Sequence, residues 1–275
     1  MTTPHADLIV IPARFASTRL PGKPLLKLAG RTVLERVIAN ARLAADLARD
    51  CLLVVATDDE RIAKHAEELG ATAILTDPAL SSGSARAHAA ARELDIHNQS
   101  AERVISLQGD APFIPPQTIS GLITTLRESA AKVATPVYQL SWERLDRLRE
   151  HKKSAPLSGT TCVRAPSGDA LWFSKNILPA LRGEESLRQA PMSPIWQHLG
   201  LYAYTREALD WFVATPESHY EQIEGLEQLR FLEHGWPIAT VPVAAPEHAL
   251  SGIDTPEDLA LAEAAIARLG DPFPA

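Results

Sequence analysis

The chain has 275 residues, of which 45% are hydrophobic and 22% charged, and its formal net charge at pH 7 is −7. This length and hydrophobic content are typical of a globular protein with a substantial core. The negative net charge excludes a chain-wide attraction to nucleic acid or to an anionic membrane, so an anionic ligand has to be bound by a local group of cations.

Targeting and membrane signals are missing from the sequence pattern. Residues 1–7 lack the cationic start and apolar core of a secretory signal, and no apolar run approaches the ~20 residues that span a bilayer. Cys51 and Cys162 are the only cysteines, which supports neither a disulfide framework nor a thiolate metal site. We therefore predict a cytoplasmic protein with no membrane or nucleic-acid partner.

Apolar runs and helical patterns alternate through the first part of the chain. Strands are predicted at 7–12, 51–57, 71–76 and 103–108, and helices at 31–46, 58–69, 84–94 and after Pro115. Asp58 is predicted to cap the second helix and Gly70 to end it. Nearly continuous apolar strands separated by helices predict a mostly parallel sheet that is covered on both faces.

Between residues 132 and 201 the pattern becomes irregular, and only 132–140 and 170–173 resemble strands. The regular pattern then returns, with helices predicted at 206–214, 220–234 and 255–269 and a strand at 237–243. We predict a single interrupted α/β domain in three layers. Residues 1–131 and 235–275 form its core, and residues 132–234 form an inserted, smaller antiparallel layer or lid.

The segment after the first strand has the clearest functional signal. Residues 8–34 contain no acid but five cations: Arg14, Arg19, Lys23, Lys27 and Arg31. Ligands of open parallel sheets bind at the carboxyl ends of the strands, and arginine and lysine are the side chains that hold phosphate oxygens. A phosphate site is therefore predicted; the alternative is a solvated basic loop. Neither a P-loop nor a G-x-G-x-x-G motif follows the strand, which argues against ordinary kinases and dinucleotide-binding enzymes.

Two aspartates are candidate metal ligands. Asp110 follows the fourth core strand, where a carboxylate is well placed to hold Mg²⁺ against phosphates. If the late strand lies beside the fourth, Asp254 faces Asp110 across the site. Each has a structural alternative: Asp110 as a turn residue, and Asp254 or Thr255 as the N-cap of the last helix before Pro256.

Taken together, eight segments in order resemble the 3-deoxy-manno-octulosonate (Kdo) cytidylyltransferase, or CMP-Kdo synthetase, family. They are IPARFASTRLPGKPL, VVATDDERIA, SSGSAR, LQGDAPFIPP, ALWFSKNILP, HLGLYAY, IEGLEQLRFLEHG and GIDTPEDL. The resemblance implies a Rossmann-like nucleotidyltransferase core that binds nucleotide, and an insert, 132–234, that binds sugar and pairs two subunits. It further implies transfer of CMP from CTP to a 2-keto-3-deoxy sugar acid, with Mg²⁺ as cofactor, for lipopolysaccharide or another surface glycan.

The resemblance also implies roles for individual residues. Nucleotide-binding positions are Pro12, Ala13, Arg14, Arg19, Lys23, Ser82, Gly83 and Gln108. Sugar-binding positions are Arg86, Gln108, Lys175, His198, Tyr202, Glu227 and Gln228. Asp110 and Asp254 are implied as metal ligands, and with Arg14 and Lys23 they form the predicted catalytic set. We interpret His198 as a substrate-binding residue rather than a general base, because a metal ion can activate the sugar hydroxyl.

The chain departs from the family pattern near the predicted sugar site. Ala85 and Ala111 stand where the family has acids, Lys175 where it has an arginine, and residues 160–164 replace its usual strand sequence. Lysine cannot make the two-pronged contact that arginine makes with a carboxylate, so sugar specificity is affected more than catalysis. Three alternatives stay open: activation of an amino-Kdo or a nonulosonate, a sugar 1-phosphate pyrophosphorylase, and a catalytically inactive paralogue that acts as a binding subunit.

Overall fold

The computed structural model describes residues 7–16, 20–97, 99–246, 252–253 and 255–272. Its strands are β1 (Asp7–Ala13), β2 (Lys27–Leu28), β3 (Arg31–Thr32), β4 (Cys51–Thr57), β5 (Thr72–Leu75), β6 (Arg103–Leu107), β7 (Val133–Ser141), β8 (Thr161–Arg164), β9 (Ala170–Ser174), β10 (Met192–His198), β11 (Leu201–Thr205) and β12 (Ala239–Pro242). Its helices are α1 (Val33–Ala48), α2 (Glu60–Glu68), α3 (Gly83–Ile96), α4 (Pro116–Glu128), α5 (Trp142–Ser154), α6 (Glu184–Leu187), α7 (Arg206–Ala214), α8 (His219–Glu224), α9 (Leu229–Glu233) and α10 (Pro256–Leu269). Within these ranges, no helix has both the length and the apolar character needed to cross a bilayer.

One large mixed sheet organises the fold. Its strand order is β5-β4-β1-β6-β11-β7-β10-β8-β9, and β12 pairs with β7. The half that contains β5, β4, β1 and β6 is parallel, as the sequence predicts. β11 is antiparallel to both β6 and β7, and β10, β8 and β9 continue the sheet with antiparallel pairing. The antiparallel strands of the middle segment therefore extend the core sheet, and the division at residues 131 and 234 stays a prediction.

The condition under which Asp254 would face Asp110, a late strand beside the fourth, is not met. The late strand, β12, lies in parallel beside β7, and β11 occupies the place beside β6. β11 alternates between the two faces, with Leu201 and Ala203 in one core cluster and Tyr204 in the other. It therefore fits an interior place in the sheet.

Both faces of the sheet are covered by helices. Ile9 and Ile11 of β1 pack in the cluster that includes α1 and α4, whereas Leu8 and Val10 pack in the cluster that includes α3 and α7. All four side chains have 0% exposure. This two-sided burial explains why β1 is apolar at every position rather than alternating.

Capping side chains mark the residues at which several helices begin. Thr32 caps α1 through a capping box with Glu35, and the helix begins at Val33, two residues later than predicted. The N-cap of α2 is Asp59, so the prediction that Asp58 caps this helix is wrong; Asp58 instead contacts the loop after β1. Thr255 caps α10 by accepting from the Asp258 amide, as one structural alternative predicted. The predicted helix over 220–234 is divided into α8 and α9.

Candidate active site

A cleft of about 370 Å³ opens where β1 and β6 end. It is lined by Pro12, Ala13, Arg14, Lys23, Pro24, Leu80, Ser81, Ser82, Gly83, Arg86, Gln108, Gly109, Asp110 and Glu227. Ten of these fourteen residues were predicted as site residues from the sequence. The other four, Pro24, Leu80, Ser81 and Gly109, each lie within two residues of a predicted one. The carboxyl ends of parallel strands are the usual ligand-binding edge of such a sheet.

The basic loop turns back into the cleft at Gly22. Gly22 has φ of 67°, and its amide donates to the carbonyl of Phe15 at 2.9 Å. A Cβ on Gly22 would lie 2.9 Å from the Phe15 ring, so the turn requires glycine for both its backbone angle and its space. The turn delivers Lys23 to Asp110, with which it forms an ion pair; the two side chains are 12% and 26% exposed. The cleft thus holds a cation and a carboxylate in contact, each partly accessible to a ligand.

Two other segments hold the loop that contains Asp110 by donating hydrogen bonds to its backbone carbonyls. The Ile253 amide donates to the carbonyl of Asp110 at 2.9 Å, which brings the segment before α10 to the cleft. From α1, the buried Asn40 side chain donates to the carbonyls of Pro112 and Ile114 at 2.9 and 3.0 Å. Asp254, the residue after Ile253, and Arg19 in the basic loop lie outside the described residues. Among the residues that are described, no group of three or more His, Cys, Asp or Glu side chains is placed to hold a metal.

Gly109 lies in the turn after β6 and tests how tightly this turn approaches the end of β1. A Cβ at this position would lie 2.9 Å from the Pro12 carbonyl oxygen and 3.1 Å from the Ala13 Cβ, and neither atom can move without moving β1. We expect Gly109→Ala to lower the free energy of unfolding by roughly 1–3 kcal/mol through overpacking. Gly121→Ala is the matched control, because nothing lies within 4 Å of its added Cβ and the site is inside α4. We expect this control to be neutral or stabilising in the same urea titration, and equal stability of the two variants would contradict the tight approach.

Arg86 is a fixed charge on the cleft wall. Its guanidinium donates to the Thr76 hydroxyl at 2.5 Å and lies 3.4 Å from both Asp58 and the Leu80 carbonyl. Burial lowers the pKa of Arg86, and the nearby Arg14 charge adds to this effect while Asp58 opposes it. Because an arginine in a protein stays protonated, the result is a positioned cation beside the basic loop.

Glu227 enters the cleft from the other side. The Ser84 hydroxyl donates to its carboxylate at 2.8 Å and lies 3.2 Å from the Tyr204 hydroxyl. Burial raises the pKa of Glu227, and the hydrogen bond from Ser84 acts in the opposite direction. Ser84 and Tyr204 were not predicted as site residues from the sequence. Ser84 nevertheless lies in SSGSAR and Tyr204 in HLGLYAY, two of the segments that resemble the family.

Four predicted sugar-binding residues do not line the cleft: Lys175, His198, Tyr202 and Gln228. Three of them are connected to it by ring and charge contacts on one face of the sheet. The Tyr202 ring is 5.9 Å from that of Tyr204 and 5.3 Å from that of His198, and the Lys175 charge acts on His198. We refer to Tyr204, Tyr202, His198 and Lys175 as the polar strip. It leads away from Glu227 toward the β8–β9 edge of the sheet.

Two buried polar groups near this strip have no partner within the described chain. They are the Ser106 hydroxyl and the amide nitrogen of Gln228. Ser106 lies opposite Tyr202 in the β6–β11 register, and Gln228 follows Glu227. Unpaired buried polar groups are costly, so each is a place where a ligand or a water molecule gains a hydrogen bond.

His198 is electrically neutral at physiological pH. Burial, with a further contribution from the Lys175 charge, lowers the pKa of His198 to about 3. A general base works best when its pKa lies near the working pH, so this environment favours hydrogen bonding to substrate over proton abstraction.

Comparison with known proteins decides the family. The family model for cytidylyltransferases matches residues 8–240. A 3-deoxy-manno-octulosonate cytidylyltransferase of Maricaulis maris is 42% identical over 96% of this chain and 98% of its own length. One from an Anaeromyxobacter species is 41% identical over 94% of this chain and 96% of its own length. The chain belongs to the 3-deoxy-manno-octulosonate cytidylyltransferase family.

A solved structure supports the same assignment. CMP:2-keto-3-deoxy-manno-octonic acid synthetase in complex with CTP aligns with a TM-score of 0.79 and 35% identity, covering 96% of this chain and 99% of that one. The α/β fold is therefore that of a cytidylyltransferase. Its cleft combines cations, a strand-end carboxylate and a helix N-terminus at Ser82 and Gly83, a combination suited to a polyphosphate.

Proposed function

We propose that the protein transfers CMP from CTP to 3-deoxy-manno-octulosonate and releases pyrophosphate. The observation that carries this proposal is the Lys23–Asp110 pair in a cationic cleft at the end of β6. The relatives' names, and the CTP complex of the similar synthetase, support the same substrates.

The nucleotide half of the cleft is assigned to the basic loop and α3. Arg14, Arg19 and Lys23 bind the triphosphate, and Ser82 and Gly83 present the start of α3 to it. Pro12, Ala13 and Gln108 complete this half of the site. Gly83 is closely approached by Gln108, whose amide nitrogen would lie 2.4 Å from an added Cβ. This close approach supports a narrow slot at the start of α3, where backbone amides favour an anion.

The donor set in the cleft fits a divalent metal ion. Mg²⁺ is commonly bound by one or two carboxylates together with substrate phosphates. Asp110 supplies a partly exposed carboxylate, and its contact with Ile253 supports Asp254 as the second ligand. When bound, Mg²⁺ would lower the pKa of the attacking hydroxyl and neutralise phosphate charge.

The reaction is an in-line displacement at the α-phosphorus of CTP. The anomeric hydroxyl oxygen of the sugar acid forms the new bond to the α-phosphorus, and the hydroxyl proton is released to solvent. The bond between the α-phosphorus and the α–β bridging oxygen breaks, and that oxygen leaves with pyrophosphate. Lys23 and Arg14 stabilise the negative charge on the departing pyrophosphate. No covalent bond to the protein is required.

The sugar acid is assigned to Arg86, Gln108, Glu227, Gln228 and the polar strip. The unpaired Gln228 amide is available to a sugar oxygen. The Lys175 ammonium makes no ion pair with any of the described residues, so it is suited to bind the sugar carboxylate. A homodimer and a cytoplasmic location are also part of the proposal; light scattering after gel filtration tests the first.

The test is pyrophosphate release by the purified protein with CTP and Mg²⁺ against Kdo, 8-amino-Kdo and nonulosonic acids. Release with Kdo as the preferred acid supports the proposal. Release with only another acid transfers the assignment to that acid and points to Lys175, Ala85 and Ala111 as the cause. Release with a sugar 1-phosphate alone would support a pyrophosphorylase, and no release with any substrate would support an inactive paralogue.

A further inference from the structure

Thr135 is a buried polar residue in the middle of the sheet. It lies on β7 with 0% exposure, on the same face as the neighbouring Val133 and Val137. Its Oγ1 makes two hydrogen bonds: it donates to the Leu201 carbonyl oxygen at 2.8 Å, and it lies 2.9 Å from His198 Nε2.

These two contacts determine the His198 tautomer. A carbonyl oxygen only accepts, so the single hydroxyl proton of Thr135 is directed to Leu201. The hydroxyl must therefore accept from His198, which requires the proton on Nε2. Because burial keeps the ring neutral, Nδ1 carries a lone pair and no proton.

The His198 ring is held in place, and Nδ1 is left for a ligand. The ring centroid lies 5.2 Å from that of Phe173 and 5.3 Å from that of Tyr202. The residue is 8% exposed, and its only side-chain hydrogen bond within the described part of the chain is the one to Thr135.

We propose that Thr135 is a positioning residue that fixes His198 as the Nε2–H tautomer, so that Nδ1 accepts a hydrogen bond from a hydroxyl of the sugar acid. This inference rests on the proposed function, which assigns the polar strip to that substrate. The tautomer orients the substrate, because a lone pair attracts a hydroxyl proton and repels a carboxylate oxygen. The carboxylate is then directed to the Lys175 ammonium, whose charge acts on the same ring.

The experiment compares Thr135→Val, which keeps the shape of the side chain but removes the hydroxyl, with Thr135→Ser, which keeps the hydroxyl and removes the methyl group. The ¹⁵N chemical shifts of the His198 ring report the tautomer, with His198→Gln used for assignment. We expect the Nε2–H tautomer in the wild type and in Thr135→Ser, and a mixture of the Nε2–H and Nδ1–H tautomers in Thr135→Val. We expect the KM for Kdo to rise about tenfold in Thr135→Val, with the KM for CTP unchanged and Thr135→Ser within about twofold of the wild type.

Several outcomes would overturn the inference. A wild-type ring protonated on Nδ1 would do so without any variant, even if Thr135→Val fails to fold. An unchanged KM for Kdo in a folded Thr135→Val, or an equal loss in Thr135→Ser, would also do so, the second because it indicates a packing effect. An inactive wild type would instead count against the proposed function, and the ring shifts would still decide the tautomer.

Discussion

Asp110→Asn is expected to lower kcat for pyrophosphate release by about a thousandfold or more while leaving the fold intact. The amide keeps the shape of the carboxylate but loses its charge, so the variant loses both the Lys23 ion pair and the proposed metal ligand. A thousandfold loss corresponds to about 4 kcal/mol, which is within what one electrostatic contact to a transition state supplies. Steady-state kinetics with CTP and Kdo measure the loss, and circular dichroism measures the fold.

Asp146→Asn is the matched control for Asp110→Asn. Asp146 is 48% exposed on α5, which packs mainly on β7 and β10, and it pairs with Arg149 and Arg188. An exposed ion pair contributes only about 0–1 kcal/mol to stability, so Asp146→Asn should fold normally. We expect the turnover of this variant to stay within twofold of the wild type. Asp254→Asn is expected to match Asp110→Asn. Near-normal turnover in either site variant would refute the two-carboxylate scheme.

The parts of the fold that could be predicted from sequence are those with strong local signals. β4 and α7 have the predicted bounds, Cys51–Thr57 and Arg206–Ala214. β4 is an unbroken apolar run, and α7 begins after Thr205, whose side chain caps it. In both cases the information that determines the element lies within it or in the residue directly before it.

The middle of the chain was less predictable because its burial is sparse and its pairing is non-local. α5 buries only Leu145 and Leu148, so charged residues hide its helical period. β11 belongs beside β6, about a hundred residues earlier, and no local pattern specifies this partner. The same non-local pairing placed β12 beside β7 rather than beside β6.

In the candidate site, too, residues with a local sequence signal were predicted and residues that depend on distant partners were not. The basic loop, the start of α3 and Asp110 were predicted because each is a short motif next to a strand end. Thr135 and Ser106 were missed because their significance comes from partners on other strands, 63 residues away in the case of His198. A hydroxyl within an apolar strand is the only sequence signal at either position, and it occurs in many strands without function.

Lys23→Met is expected to change the affinities for CTP and Mg²⁺ in opposite directions. The lysine ammonium both neutralises Asp110 and adds positive charge for the triphosphate. Without it, the KM for CTP should rise and kcat should fall about a hundredfold, because pyrophosphate loses a stabilising cation. Mg²⁺ should bind the nucleotide-free protein more tightly, since the Asp110 carboxylate is no longer neutralised by Lys23. Isothermal titration with each ligand separately measures both affinities.

Lys27→Met is the control for Lys23→Met, because Lys27 belongs to the same basic segment but is exposed on β2. A general loss of positive charge would affect both variants equally, whereas the ion-pair argument predicts a large effect only for Lys23. Combining Lys23→Met with Asp110→Asn adds a second criterion: directly contacting residues are not additive, so the double variant should be less impaired than the product of the two single losses. Additive losses, or weaker Mg²⁺ binding in Lys23→Met, would show that the two side chains act independently of each other.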